Sequence, residues 1–295
     1  MKRYLFIHNP AANRYRSSDD FKKVIDIARQ EIKNCEFIVS KKRGDIQQIV
    51  EEQALNFDVI VACGGDGTVR ETAIATLDWD ICLGVVPLGS GNDVTKSLQI
   101  PTDLKKAILL LKNGKRTNID VGYCNEIPFI NSLGFGFDGL TNQYASKSRI
   151  TNGTLRYIIS ALKANFNRNI YKVKISFKDR SDVSTEVMMI TAANGRIEGG
   201  NFCIAPDASI TDARLDIVLL KPISKWLLPL KLPFFLNGSH TVFKEVEIFK
   251  TQNCIINFDK PVEIHADGEV IKSKETEFDI RVESAMLSVI SGHGQ

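Results

Sequence analysis

Residues 59–68 read Val59-Ile-Val-Ala-Cys-Gly-Gly-Asp-Gly-Thr68, an apolar strand followed at once by a glycine-rich loop. Three glycines among five residues allow positive φ and let main-chain N–H groups approach a ligand closely. Residues 69–77 have a helical pattern with Thr68 as the expected N-cap, so the positive end of the helix would also face an anion. The pattern predicts a polyphosphate site, although a tight strand-to-helix turn in an α/β protein would have the same spacing.

The single charge in this loop is Asp66, and it is negative where a phosphate is expected. A direct contact between the two would be repulsive. A carboxylate is reasonable here if Mg²⁺ bridges it to the phosphates. The predicted ligand is therefore a metal–nucleotide, with Gly64, Gly65, Asp66, Gly67 and Thr68 as contacting residues.

Composition limits the classes of protein to consider. A chain of 295 residues is long enough for two domains, and 43% hydrophobic with 25% charged residues is typical of a soluble globular protein. The apolar stretches are too short for a membrane span or signal peptide, which predicts a cytoplasmic protein. The six cysteines form no C-x-x-C pair, which argues against structural zinc, and a net charge of +3 is too small to indicate nucleic acid.

The first 120 residues alternate strand and helix patterns, which is typical of a mainly parallel sheet with helices on both faces. The expected strands are 4–8, 36–40, 58–63, 81–87 and 117–124, and the expected helices are 18–33, 45–53, 69–77, 92–98 and 103–113. Ligands of such sheets bind at the carboxyl ends of the strands, where the first glycine loop lies.

The second half has a different pattern. Residues 171–178 alternate strictly between apolar and charged side chains, as in a half-exposed antiparallel strand. Further strands are expected at 187–193, 215–220, 242–250, 262–266, 277–282 and 286–290, with a single helix at 155–165. Many short strands predict a sandwich or barrel. The fold class is therefore α/β plus all-β, with domains at 1–123 and 124–285 and a C-terminal strand, 286–295, that returns to the first domain.

A second glycine loop follows the strand at 81–87 and reads Pro87-Leu-Gly-Ser-Gly-Asn-Asp93. Ser90 and Asn92 are candidates to donate to phosphate or ribose. Asp93 is expected to cap the helix that follows, as Asp often does. Asn9, after the first strand, would lie beside the same edge of the sheet.

Together these elements resemble the diacylglycerol kinase catalytic family, which includes bacterial diacylglycerol and YegS-type lipid kinases and the sphingosine and ceramide kinases. The family's N-P-x-x-G is found at 9–13 with Asn13 for glycine, G-G-D-G-T at 64–68, and P-L-G-T-x-N-D at 87–93 with Ser90 for threonine. Ser40 lies where the family often has a nucleotide-contacting threonine. The resemblance continues through 131–138, 194–200 and 265–269, so it spans nearly the whole chain.

The resemblance implies roles for Asp267 and Glu269. In the family, the Asp of the D-G-E element is the proposed base that accepts the proton of the lipid hydroxyl, and the Glu lies close by. The resemblance also implies an NAD kinase/diacylglycerol kinase-like nucleotide domain, ATP as phosphoryl donor, and Mg²⁺. By spacing alone, Asp267-Gly268 between two strand patterns would instead predict a hairpin turn.

Residues 205–216 resemble a family segment whose Asp binds a structural Mg²⁺ together with neighbouring carbonyl groups. Asp212 matches that Asp, and the carbonyls of Ser209 and Arg214 are the corresponding ligands by analogy. Ala213 replaces the family's glycine. If that glycine requires positive φ, the loop is reshaped, which argues against the metal site without excluding it.

Residues 225–235 concentrate aliphatic and aromatic side chains around two prolines, with flanking lysines that can extend toward lipid headgroups. The segment is the candidate for peripheral contact with a membrane surface. The alternative is a buried connection between strands, because Trp and Leu clusters are usually buried.

The leading prediction is an ATP- and Mg²⁺-dependent lipid kinase with a diacylglycerol-like acceptor, a nucleotide domain at 1–123 and a lipid-substrate domain at 124–285. Its partners would be nucleotide, lipid and a membrane surface, and a homodimer is a possible assembly. The enzyme alternative is an NAD kinase, whose superfamily also has G-G-D-G-T, but the 87–93 element favours the lipid kinase. The non-enzyme alternative is a catalytically silent nucleotide- or lipid-binding regulator, against which the presence of both Asp66 and Asp267 argues.

Overall fold

A computed structural model of the chain describes residues 2–10, 17–42 and 44–292. The chain forms two compact units, of which the first comprises residues 1–119 and 285–295 and the second residues 120–284. Among the described residues, none of the helices is both long and apolar enough to cross a bilayer.

The first unit alternates strands and helices, as predicted. Its strands are β1 (Tyr4–His8), β2 (Cys35–Val39), β3 (Val59–Gly64) and β4 (Cys82–Pro87), and its helices are α1 (Ser17–Glu31), α2 (Asp45–Gln53), α3 (Asp66–Thr76), α4 (Asp93–Ser97) and α5 (Leu104–Asn113), with a 3₁₀ turn at Ala54–Asn56. Every residue of β1, β3 and β4 is buried, which explains their continuous apolar runs.

These strands pair in parallel in the order β2-β1-β3-β4. His8 pairs with both Val39 and Cys63, and Gly64 pairs with Pro87. The carboxyl ends of all four strands therefore lie along one edge of the sheet. The segments that follow them start from this common edge.

Two long strands belong partly to each unit: β5 (Lys115–Cys124), and a last strand, introduced below, at the end of the chain. The remaining strands of the second unit are β6 (Ile127–Phe129), β7 (Ser132–Gly136), β8 (Tyr171–Phe177), β9 (Val183–Val187), β10 (Met189–Ala193), β11 (Ile197–Glu198), β12 (Phe202–Cys203), β13 (Leu215–Leu220), β14 (Val246–Thr251), β15 (Asn253–Phe258), β16 (Ile264–Ala266) and β17 (Glu269–Ile271). Its helices are α6 (Phe137–Lys147), α7 (Gly153–Asn167) and α8 (Leu228–Leu236), with a 3₁₀ turn at Ser239–Val242.

The last strand is β18 (Glu277–Ser291). Its first residues pair antiparallel with β15, and Val289 pairs in parallel with Leu83 of β4. The prediction of two strands, 277–282 and 286–290, was wrong in that a single strand spans both. Ala285 at φ 56 interrupts the regular extended geometry between the two parts.

The second unit is an antiparallel sandwich. One layer has the order β14-β13-β10-β7-β16-β17, and the other contains β18, β15, β8 and β9. Apolar side chains from both layers form one core, in which Phe135 and Ile217 come from the first layer and Ile175, Ile256 and Phe278 from the second. A parallel α/β unit and an antiparallel β unit confirm the predicted fold class.

The prediction of a single helix in the second half was wrong, since this unit contains three. Asp138, Thr141 and Asn142 are buried in α6, so that helix lacks the apolar periodicity by which a helix is recognised. In α8, Pro229 lies in the first turn and Pro233 inside the helix, which disguises it as a loop.

Candidate active site

The predicted nucleotide residues all follow carboxyl ends of strands in the first unit. Asn9 follows β1, Ser40 follows β2, the first glycine loop follows β3, and the second follows β4. The parallel register therefore brings these four segments to one sheet edge. Of the N-P-x-x-G element, Ala11, Ala12 and Asn13 lie outside the described residues.

The two glycine loops pack against each other with no room for side chains. A Cβ on Gly89 would lie 2.4 Å from the Cα of Gly65, and a Cβ on Gly64 would lie 2.4 Å from Oγ1 of Thr68. None of the five glycines in these loops has positive φ. The expectation of positive φ was wrong. Close approach without a Cβ was also expected, and here it takes place between the two loops.

Asp66 joins the first loop to the second. Its Oδ2 accepts the N–H of Asn92 at 2.8 Å and its Oδ1 accepts the N–H of Asp93 at 2.5 Å. Burial raises the pKa of Asp66, whereas these main-chain hydrogen bonds and the charge of Lys96 oppose that rise. Asp66 is thus a partly buried carboxylate directed at the second loop.

Both cap predictions in this region were wrong. Helix α3 begins at Asp66 with Gly65 as its N-cap, so Thr68 lies inside the helix and is buried. Helix α4 has Asn92 as its N-cap, in left-handed conformation and without a side-chain cap bond. The acceptor for the first N–H groups of α4 is Asp66, which is distant in sequence and so escapes a local capping rule.

The buried polar atoms near this edge that have no hydrogen-bond partner among the described residues include Oγ of Ser40, Nε2 of His8 and Oδ1 of Asn92. The Nδ1 of His8 lies 3.0 Å from the carbonyl oxygen of Cys63, and burial lowers the pKa of this histidine. A neutral ring that donates from Nδ1 leaves Nε2 as an acceptor. The edge therefore offers a buried hydroxyl and a buried acceptor to a ligand.

Asp267 and Gly268 form the two-residue turn of a hairpin between β16 and β17, with φ of 49° and 82°. The hairpin predicted from spacing is confirmed, and its positive φ values are those of a type I′ turn. The carboxylate of Asp267 accepts three main-chain N–H groups, from Ile130 at 2.8 Å, Asn131 at 2.7 Å and Ser132 at 3.1 Å. Glu269, the first residue of β17, is partly buried.

Asn194 fixes the segment that holds Asp267. Its side-chain amide donates to the carbonyl groups of Ile130 and Asp120 at 2.7 and 2.9 Å, and its side chain is fully buried. Asn131 in turn donates to the carbonyl of Ile197 at 2.9 Å. The motif elements at 131–138 and 194–200 therefore hold in place the segment 130–132, whose main-chain N–H groups donate to the Asp267 carboxylate.

A fully buried polar cluster that the sequence did not predict lies behind this hairpin. It comprises Asp138, Glu198 and His265, whose ligand atoms lie within 4.8 Å of one another. The Nε2 of His265 is 3.0 Å from Glu198 Oε1 and 3.3 Å from Asp138 Oδ2, and the Tyr157 hydroxyl is 2.6 Å from Asp138 Oδ1. Each of the three ionisable residues lies within a motif quoted above and directly follows an apolar residue, which was the available signal.

The hydrogen bonds of this cluster indicate that it holds protons and no metal. Nδ1 of His265 accepts the N–H of Gly268 at 3.2 Å, so the ring proton is on Nε2, where a metal would need a lone pair. Burial opposes the His265 cation, but the Glu198 and Asp138 charges outweigh it and raise the pKa to about 10. Burial and then the Asp138 charge also raise the pKa of Glu198. The groups titrate together, and the Gly268 contact favours the additional proton on Glu198.

The predicted metal-binding segment lies between β12 and β13. Ala213 has φ 57, so the loop keeps a left-handed residue although no glycine is present. The N–H of Ala213 donates to Asp120 Oδ2 at 2.7 Å. The two carboxylate oxygens of Asp212 are engaged by the N–H of Arg214 at 3.1 Å and by Nζ of Lys250 at 3.2 Å.

Residues 225–235 divide between surface and interior. Trp226 is 80% and Leu230 70% exposed, whereas Leu228, Leu232 and Phe235 of α8 are buried. The ring of Phe166, also exposed, packs edge-on to Trp226 at 6.5 Å. The exposed side chains of this patch, hereafter the α8 patch, are Phe166, Trp226, Leu227, Leu230, Phe234 and Leu236.

The buried side of α8 borders an apolar cavity of about 30 Å³ within the second unit. Its lining includes Leu228, Leu232 and Phe235 of α8, together with Asp138 of the polar cluster and Tyr157, which contacts Asp138. A cavity of this volume has room for at least one water molecule.

Comparisons with known proteins agree in both halves of the chain. Residues 3–124 match the family described as "Diacylglycerol kinase catalytic domain", and residues 131–291 match "YegS C-terminal NAD kinase beta sandwich-like domain". The "Diacylglycerol kinase" of Bacillus subtilis (strain 168) is 30% identical over 278 residues, covering 91% of this chain and 90% of that protein. The "Probable lipid kinase YegS-like" of Pectobacterium atrosepticum is 30% identical over 236 residues, covering 75% and 76%.

A solved structure has the same fold. The crystal structure of a diacylglycerol kinase from Bacillus anthracis strain Sterne superposes with a TM-score of 0.76 over 99% of this chain and 97% of that chain. The two sequences are 21% identical.

Proposed function

The chain belongs to the diacylglycerol kinase catalytic domain family, and on this basis we propose that it is an ATP- and Mg²⁺-dependent lipid kinase. It transfers the γ-phosphate to a lipid hydroxyl, with a diacylglycerol-like acceptor. The observation that carries the proposal is the direct packing of two glycine loops at one sheet edge, through Gly65 and Gly89.

The nucleotide is proposed to bind along this edge. The first N–H groups of α3 have no partner within the helix, and its N-cap, Gly65, offers no side chain to accept them. Gly67 and Ser90 are exposed there, so a phosphate can reach the backbone of both loops. The buried atoms without partners on His8 and Ser40 suit the polar edges of a nucleoside.

The metal ion enters as part of the substrate, Mg²⁺ bound to ATP, and neutralises charge on the transferred phosphoryl group. Both oxygens of Asp66 already accept main-chain N–H groups, although each carboxylate oxygen has a second lone pair. We therefore assign Asp66 first to holding the second loop against the first. A contact with the ion would use the remaining lone pairs.

Asp267 is proposed as the general base for the acceptor hydroxyl. Its three N–H bonds fix the carboxylate in one orientation, which a base needs in order to meet a hydroxyl in line with the phosphate. General-base assistance contributes about 10²–10⁴-fold to the rate. Glu269, on the next strand of the same hairpin, is proposed to lie beside the reacting group.

The lipid character of the acceptor is supported by the second unit. The α8 patch is an apolar surface of a kind that marks interaction sites, and exposed Lys225 adjoins it. We propose that the patch enters the headgroup region of a membrane and that the acyl chain occupies the cavity behind α8. The protein would then be cytoplasmic and peripherally membrane-associated.

The assay that tests this function offers diacylglycerol, sphingosine, phosphatidylglycerol and NAD side by side with ATP labelled on the γ-phosphate. We expect label in an organic-phase lipid, with diacylglycerol the best acceptor. Label confined to NAD phosphate would identify the NAD kinase alternative. Nucleotide binding without transfer to any acceptor would favour the catalytically silent regulator.

A further inference from the structure

The family resemblance implies a structural Mg²⁺ at Asp212, but the residues around Asp212 do not fit a metal. Lys250 lies opposite Asp216 on the neighbouring strand, in the register of β13 and β14. Its side chain therefore projects on the same face as Asp216, toward the Asp212 loop. The pairing of β13 with β14 therefore places the positive charge of Lys250 beside the Asp212 loop.

The contacts of the Lys250 ammonium group are those of a small bound cation. Nζ lies 2.8 Å from the carbonyl oxygen of Asp207, 3.2 Å from Asp212 Oδ2 and 3.5 Å from Asp216 Oδ2. Two carboxylates and one main-chain carbonyl form a ligand set of the kind that binds Mg²⁺ or Ca²⁺. In this protein the ammonium group of Lys250 contacts these three oxygen atoms in place of a metal ion.

Asp216 explains why a positive charge is needed. Its side chain is 3% exposed, and Oδ2 has no hydrogen-bond partner of good geometry among the described residues. A buried carboxylate must be paired or coordinated to be tolerated as an anion. The ion pair with Lys250 meets that requirement, and a divalent cation at Asp212 would lie against the ammonium group and be repelled by it.

We propose that the Lys250 ammonium group takes the place of a resident divalent cation at the Asp212 loop. The loop is complete without metal, and removal of the ammonium group exposes a cation site formed by Asp212, Asp216 and the Asp207 carbonyl. Ala213 belongs to the same arrangement, because its left-handed conformation directs its N–H to Asp120 and holds the loop closed. This inference is independent of the proposed kinase function.

The test compares wild type with Lys250→Met by thermal unfolding in EDTA and in millimolar Mg²⁺ or Ca²⁺, without nucleotide or lipid. We expect no change of Tm with metal for wild type. Lys250→Met should lose several degrees in EDTA and recover most of that loss with metal. Lys221→Met is the matched control, since Lys221 is similarly exposed and pairs with a single carboxylate, that of Glu247. It should show no recovery.

Titration calorimetry with Mg²⁺ decides the proposal even if Lys250→Met does not fold. Wild type and Asp212→Asn should give the same Mg²⁺ titration, because wild type holds no ion at Asp212. Lys250→Met should bind one ion, and Lys250→Met/Asp212→Asn should bind none. Binding of Mg²⁺ to wild type that Asp212→Asn removes would overturn the proposal. A folded Lys250→Met variant without a new cation site would overturn it equally.

Discussion

The carboxylate of Asp66 accepts the main-chain N–H of Asn92 at 2.8 Å, and this bond connects residues 26 positions apart in the chain. With the parallel bond to Asp93, it sets the start of α4 relative to the start of α3. The signature acid of the first loop thus holds the second loop in place. The shape of the proposed phosphate site depends on this one side chain.

Asp66→Asn should destabilise the protein and abolish most activity. An asparagine amide would place N–H donors opposite the N–H of Asn92 or Asp93 and leave one of them without an acceptor. An unsatisfied buried donor costs about 1–3 kcal/mol. Chemical denaturation measures the loss, and equilibrium nucleotide binding shows its effect on the loops.

Asp103→Asn is the matched control for Asp66→Asn. Asp103 also accepts an N–H at a helix start, that of Lys106 in α5, but its side chain is a local cap and Asn is an equally good cap residue. It should retain wild-type stability and nucleotide binding. Equal effects of the two substitutions would contradict the loop-linking role of Asp66.

Gly89→Ala and Gly67→Ala should have opposite effects on stability. The new methyl group on residue 89 would meet the Gly65 backbone at 2.4 Å, which the chain cannot relieve by a rotamer change. Gly67 is exposed near the start of α3, where alanine is the better helix former by about 1 kcal/mol at most. Thermal unfolding should show a large fall for residue 89 and none for residue 67. A Gly89→Ala variant that unfolds at the same temperature as wild type would refute the direct packing of Gly89 against Gly65.

The buried cluster predicts that stability falls at alkaline pH. The pKa of His265 is raised to about 10 from an ordinary value of 6.5. The proton held by the cluster therefore stabilises the fold fully below pH 6.5, and this contribution is lost as pH rises toward 10. Because each pKa unit corresponds to about 1.4 kcal/mol, the loss is on the order of a few kcal/mol.

Glu198→Gln should flatten this pH dependence, because one of the two carboxylates that raise the proton affinity is removed. Glu247→Gln, on the surface of β14, should keep the wild-type slope. Urea unfolding of the three proteins at several pH values between neutrality and pH 10 provides the comparison. Identical slopes for wild type and Glu198→Gln would show that the cluster does not titrate in this range.

The α8 patch predicts membrane binding. Trp226→Glu/Leu230→Glu should reduce sedimentation with anionic vesicles more than tenfold, since each apolar side chain contributes about 1.5–3 kcal/mol when buried. Leu55→Glu is the control, because Leu55 is 84% exposed and belongs to the first unit. Activity toward a short-chain soluble acceptor should be kept in both variants. Unchanged vesicle binding would exclude the patch as the docking surface.

The parallel sheet was predictable because β1, β3 and β4 are fully buried, and their apolar runs alternate with amphipathic helices. Helices α6 and α8 could not be predicted in the same way. The first buries polar side chains that serve the cluster around Asp138, and the second contains two prolines. Both helices depart from the local pattern because tertiary contacts, and not local propensity, determine them.

The motif positions at the sheet edge were also predictable, but their physical reasons were not. Glycine patterns suggest positive φ, whereas close contact of Gly65 with Gly89 exists only once both loops are folded. The hydrogen bonds of Asp66 to the start of α4 and the contact of Lys250 with Asp212 also exist only in the folded protein. Each depends on a partner far away in sequence, which spacing within one motif does not reveal.

The central claim is that the protein transfers the γ-phosphate of ATP to a lipid with Asp267 as the base. Its most direct test is product formation from diacylglycerol and labelled ATP in mixed micelles by wild type and by Asp267→Asn, with nucleotide affinity measured in parallel. We predict a single labelled phospholipid from wild type and almost none from the variant, with nucleotide affinity retained. A variant that keeps a quarter of the wild-type rate, or a wild-type protein that labels no lipid, would contradict the claim.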